Sequence, residues 1–152
     1  MAGINKVVSG EQDVYEATAI VDGGNLVIAG GVATLPGKQG IVKAGDAAKN
    51  VLGVAARRAE PVANQGLTSV DGDGYPVTYP NPVSELTAVY KQAVAPVVYT
   101  AVAVAFGAKL AAAAGGLVRA WITADGADAI VGECRAVGGV SAAGGVALAL
   151  IF

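Results

Sequence analysis

One stretch of this chain is written twice. Gly37 to Arg57 and Gly116 to Ala136 superimpose at a constant offset of 79 residues. Val42, Asp46, Ala48, Leu52 and Gly53 of the first copy match Trp121, Asp125, Ala127, Val131 and Gly132 of the second. A repeat of this kind means that two similar units are placed side by side, each burying apolar surface that it cannot bury alone. The residues around the copies decide what the units are made of. β-Branched residues and glycine dominate, and convincing amphipathic helices are absent.

Glycine pairs at Gly23-Gly24, Gly30-Gly31, Gly115-Gly116, Gly138-Gly139 and Gly144-Gly145 fall between apolar runs, where hairpin turns need them. The reading is therefore all-β: a small barrel or sandwich of short strands with an internal β repeat and an extended Pro-rich arm. The expected strands are 17–21, 25–29, 31–35, 40–43, 51–58, 86–90, 94–99, 108–112, 117–122, 129–136 and 145–152. Val102, Val104 and Phe106 alternate with alanines, a period-2 pattern that suits a further strand. At the C-terminal end Val146, Leu148, Leu150 and Phe152 alternate with Ala147, Ala149 and Ile151, so that strand is expected to be buried on both faces.

The chain is the size of one domain. Within 1–152 the repeats are placed at about 17–59 and 86–152, with an arm at about 60–84 between them. Four of the six prolines lie in the arm, at Pro61, Pro76, Pro80 and Pro82. Tyr75-Pro76-Val77-Thr78-Tyr79-Pro80-Asn81-Pro82 is incompatible with helix, because residues before proline are pushed to extended conformations. The arm is expected to cross from one repeat to the other.

Chemistry is sparse. Histidine is absent, which removes the commonest acid–base group and metal ligand. Cys134, the single cysteine, sits in an apolar run and reads as a buried small side chain rather than a nucleophile. Asp71-Gly72-Asp73-Gly74 resembles the opening of a calcium loop, but position twelve is Pro82 rather than Glu, and a glycine-rich turn is the better reading. Ser141 misses the nucleophile-elbow spacing by one residue. Trp121 lies on an expected strand and reads as core. No catalytic residue, cofactor or metal site is assigned.

Partners are constrained by charge. Only 14% of residues are charged and the net charge is −2, so much of the surface is suited to being covered by neighbouring molecules. No basic stripe exists for nucleic acid. Gln92 to Ala108 carries no charge, but it is too short and too broken to span a membrane. Met1 to Ser9 lacks the apolar core of a signal peptide, so synthesis in the cytoplasm is expected. Interface candidates are Tyr75 and Tyr79 on the arm, the adjacent Arg57 and Arg58, and Leu150 and Phe152 on the last strand. Arg57 and Arg58 have a plainer alternative as a solvated strand end, and the last strand has one in being covered by the chain's own core.

Two sets of residues resemble a known family, the head decoration proteins of tailed bacteriophages. Val21-Asp22-Gly23-Gly24-Asn25-Leu26-Val27 and Asn50-Val51-Leu52-Gly53-Val54-Ala55 look like its first half. Val97 to Thr100, Ala105 to Leu110, Ile130 to Cys134 and Gly138 to Gly144 look like its second. The resemblance covers nearly the whole chain through glycine–valine patterns. It implies a β-rich, non-enzymatic protein on the outer surface of the virion head. Such a protein binds the major capsid protein, reinforces the shell, and forms a homo-oligomer, with a trimer favoured. Another virion component, such as a tail-tube or minor head protein, is the alternative. A small hydrolase or lyase with a Lys- or carboxylate-based site is the third reading.

Overall fold

The computed structural model describes residues 11–61, 72–75 and 83–152. The chain is all-β, and among the described residues helix is confined to three short 3-10 turns at Ala114–Gly116, Thr123–Asp125 and Ala127–Ala129. Ten strands follow in order: β1 (Glu11–Ala17), β2 (Leu26–Ala29), β3 (Gly40–Lys43), β4 (Val51–Ala55), β5 (Leu86–Lys91), β6 (Val94–Tyr99), β7 (Lys109–Ala113), β8 (Leu117–Ala120), β9 (Ile130–Cys134) and β10 (Gly145–Ile151).

They close into two five-stranded barrels of identical topology. The first runs β1-β3-β2-β4-β5 and the second β6-β8-β7-β9-β10. Each has one parallel pair, β1 with β3 and β6 with β8. All other pairs are antiparallel. Each also has one bulge at the same place. Gly53 sits opposite Val27 and Gly132 opposite Leu110, and in both the register then shifts by one residue. The glycines are required there by close approach. A Cβ on Gly53 would meet the Tyr90 carbonyl oxygen, and one on Gly132 the Leu150 carbonyl oxygen.

Strand pairing departs from the sequence-based expectation in four places. The first strand is Glu11–Ala17, not 17–21, and Val21 contributes only an isolated bridge to Ala59. No strand forms at 31–35. The Thr34 and Leu35 amides donate to the Glu16 carboxylate instead of a ladder, at 2.8 Å each. Val102 to Phe106 is not a strand either: Val104 is buried and bridges Val140, while Val102 and Phe106 point outward. Finally, Leu86–Lys91 closes the first barrel. The strands on either side of the Pro-rich segment, β4 and β5, thus belong to one barrel rather than to two, and most of the expected arm lies outside the described residues. The step between barrels is the pair Gln92 and Ala93.

Each barrel interior is filled by alternating side chains. Val21, Val27, Ile41, Ala55 and Val89 fill the first. Val97, Tyr99, Leu110, Val118, Cys134, Ala149 and Ile151 fill the second. The outward residues of β2 and β4 do not face solvent. Leu26 and Val54, with Ile28 and Val51, join the core of the second barrel. Strand β2 is thus buried on both faces, Val27 inward and Leu26 toward the neighbour. Backbone bonds stitch the same junction. Val98 donates to the Gly24 carbonyl (3.2 Å), Gly116 to Ala44 (2.9 Å) and Ala47 to Ala112 (2.9 Å).

Candidate interaction surfaces

Charged side chains also bridge the two barrels. Arg119, at the second barrel's edge, holds Asp125 with two bonds of 2.8 Å and reaches Asp46 of the first barrel at 2.9 Å. The Arg119 guanidinium, helped by the Ile122 amide, draws the Asp125 carboxyl down to about 2. Lys49 and Asp128 add a second ion pair across the junction, at 2.8 Å. These carboxylates are spoken for by cations and backbone. Among the described residues no cluster of three or more His, Cys, Asp or Glu could hold a metal ion.

The sequence-derived interface residues separate in the structure. Arg58 is engaged inside the molecule, with Asp22 at 3.3 Å and Glu60 at 3.2 Å. Asp22 is shared with Lys43 at 2.8 Å, and that bond is the main reason its carboxyl is held below the usual range. Arg57 is exposed, and its guanidinium donates to the Leu86 carbonyl at 3.4 Å. Tyr75 is 69% exposed, beside the turn at Gly72 to Gly74. Tyr79 and Asp71 lie outside the described residues. Leu150 is half-buried and Phe152 is 56% exposed, its ring 5.4 Å from the Lys109 ammonium. Trp121 is not core. It is half-buried just past the end of β8, and its indole N–H donates to the Gly126 carbonyl at 2.8 Å. Cys134 is fully buried, beside Tyr99. Burial pushes the Tyr99 phenol well above its ordinary value, and its hydroxyl donates to the Leu148 carbonyl at 3.2 Å.

The last strand is buried on one face, not two. Ala149 and Ile151 point into the barrel, while Val146 and Leu148 point outward and are exposed. The reason is geometric: a closed barrel has one interior, so the second face of β10 is covered only where another body lies on it. The outward face pairs Val146 with Val98, Leu148 with Pro96 and Leu150 with Val94. Its β6 half lies against the first barrel through Gly24. Between the two barrels runs a cleft of about 290 Å³, walled by Gly23, Gly24, Ala55, Ala56 and Tyr90 on one side and Pro96 and Val146 on the other. No charged side chain lines it. Sequence reasoning missed Val146, Leu148, Val102, Phe106 and Val137 as surface residues. Their signal was the absence of charge in two segments, Gln92 to Ala108 and Ala136 to Phe152.

No helix among the described residues is long and apolar enough to cross a membrane. No family model matches the chain, and no curated protein matches it. Solved structures do. The N base of the head fiber gp8.5 of bacteriophage phi29 superimposes with a TM-score of 0.53 at 13% identity, covering 95% of each chain. Pre-mature gene product 12 of bacteriophage phi29 superimposes with a TM-score of 0.54 at 16% identity; this chain is covered to 97% but spans only 22% of that protein. The likeness is one of fold, and with the head-fiber N base it extends over 95% of both chains.

Proposed function

We propose that this chain is a non-enzymatic structural component of a tailed-phage head, displayed on the outer surface of the capsid and bound to the major capsid protein. The observation that carries the reading is the end-to-end match of fold with a head-fiber base. The resemblance of its glycine–valine motifs to head decoration proteins points the same way, as does a surface poor in charge. By that resemblance the protein works as a homo-oligomer, with a trimer favoured, and is made in the host cytoplasm.

The role follows from linkage. A protein that binds the assembled shell and not its dissociated subunits stabilises the shell by mass action. Added to expanded capsids stripped of it, the protein is expected to saturate a fixed number of sites and raise the temperature at which the shell opens. It should bind unexpanded shells poorly. Unchanged capsid melting at full occupancy rules out the reinforcing role, and no binding at all rules out the head assignment.

The match to an N base favours a second reading, in which the barrels anchor a longer appendage. The mass of the corresponding band in purified virions separates the two. A band well above 14.8 kDa supports the anchor.

A further inference from the structure

The two barrels act as controls for each other, because corresponding faces can be compared residue by residue. Outward on β1 and β5 of the first barrel stand Val14, Glu16, Leu86 and Ala88. At the matching places of β6 and β10 stand Pro96, Val98, Val146 and Leu148. In the first barrel the Glu16 and Leu86 end of this face carries its own cover, while Val14 at the other end is 47% exposed. The connection from β2 to β3, Gly30 to Gln39, folds back so that the Glu16 carboxylate takes the Thr34 amide, the Thr34 hydroxyl and the Leu35 amide. In the second barrel the same connection is only Ala114–Gly116, too short to reach back. Glutamate is replaced by Val98, and the β10 half of the face is bare: Val146 is 69% and Leu148 41% exposed.

The bare surface extends beyond these two. The connections 100–108 and 135–144 meet at one end of β6 and β10 through the Val104–Val140 bridge. They expose Val102, Phe106 and Val137. Six of the eleven exposed large apolar residues among those described lie in the two charge-free segments that build this part of the second barrel. Val146 also lines the cleft between the barrels, so the bare face adjoins the surface by which they already pack, and exposed apolar residues so placed mark a covered surface.

We propose that the outward face of β6 and β10, centred on Val146 and Leu148, packs against a second copy of this chain. A charge-free surface is complementary to itself, since neither side leaves an unpaired charge in the contact. Apolar, charge-depleted contacts are also typical of permanent assemblies of like chains, more than of encounters between independently soluble partners. The proposal rests on the homo-oligomer reading above and is independent of capsid binding.

Sedimentation velocity on the purified full chain tests it. The wild type is expected to sediment as an oligomer at tens of micromolar, and V146D/L148D as a monomer with unchanged β-sheet circular dichroism. Val14→Asp, on the corresponding face of the first barrel, should leave the oligomer intact. If the double aspartate variant fails to fold, V146T/L148T keeps β propensity and should raise the dissociation constant about tenfold. A wild type monomeric throughout, an oligomer that survives the face variants, or an equal effect of Val14→Asp overturns the proposal. Capsid binding measured in parallel keeps the failures apart. A monomer that binds capsids and loses binding in V146D/L148D places the shell on this face. An oligomer that ignores capsids removes the proposed function and leaves this interface standing.

Discussion

Asp46 and Asp125 occupy the same position of the internal repeat, and both close on one side chain, Arg119. Duplication thus supplies two carboxylates, one per barrel, and a single guanidinium ties them across the junction. Asp125 receives the two-pronged bond and is nearly enclosed, whereas Asp46 stays mostly in solvent. Replacing Arg119 with Met should lower the melting temperature by about 2–4 °C. Asp46→Asn should cost less, because exposed ion pairs contribute little. Thermal melts of the two variants check the order. An Asp46→Asn loss equal to that of Arg119→Met would place the effect in net charge rather than geometry.

Acid stability should reflect the same pair. The Asp125 carboxyl lies at about 2 in the folded chain because of Arg119, while an unfolded aspartate titrates near its model value of 3.8. A depressed folded value means the stabilising contribution is complete above the unfolded value and is lost as pH falls from about 4 toward about 2. Asp13, Glu16, Asp22 and Asp128 are shifted in the same direction, Glu16 chiefly by the backbone amides of Thr34 and Leu35. The melting temperature is therefore expected to fall steeply below pH 4. Asp125→Asn should flatten that fall and lower the plateau above it. An unchanged slope in the variant would assign the acid transition to other carboxylates.

The bulge glycines make a paired prediction. Gly53→Ala drives a methyl group into the Tyr90 carbonyl, and Gly132→Ala drives one into the Leu150 carbonyl. Each should destabilise by about 2–4 kcal/mol, since backbone cannot step aside as a flexible side chain can. Gly45→Ala meets nothing within 4 Å and should be close to neutral. Urea denaturation midpoints of the three variants decide the matter.

A further prediction concerns why stacking stops at two barrels. Leu26 and Val54 face each other on the outside of the first barrel, and both are buried against the second. At the equivalent pair the second barrel carries Lys109 and Glu133, bonded at 3.1 Å, with Lys109 exposed and Glu133 half-buried. Charged residues here act as a terminal cap on a two-unit stack. K109L/E133V restores the apolar pair. It should produce concentration-dependent growth in light scattering while β content is retained. A variant no stickier than wild type would show that the pair is not what ends the stack.

The fold class was legible because glycine punctuation and period-2 runs agree along most of the chain. The repeat was legible at one offset because β4 and β9 align through Val51 to Gly53 and Ile130 to Gly132. Elsewhere the barrels slip: Ile41 corresponds to Val118, Val27 to Leu110, and Tyr90 to Leu150. Connections of different length cause these slips, and a single offset cannot carry them. That is why the boundary after the Pro-rich segment was misplaced and β5 was assigned to the wrong unit. The surface was harder to read than the core. Alternation revealed that both faces of β10 are apolar, but not that one of them looks outward. Arg58 looked available in sequence, yet Asp22, which holds it together with its sequence neighbour Glu60, is brought close only by the fold.

The connection from β4 to β5 spans thirty residues, and its counterpart from β9 to β10 spans ten, on otherwise matching frames. The chain has thus already carried out an insertion trial on itself. About twenty extra residues were accepted at one mouth without opening the barrel behind it, as the weak dependence of closure entropy on loop length allows. The tip at Val137 to Gly139 is the untouched twin of that mouth. A peptide of similar length grafted there would be carried on a scaffold whose other half has tolerated the same burden, which makes this tip the natural port for foreign cargo.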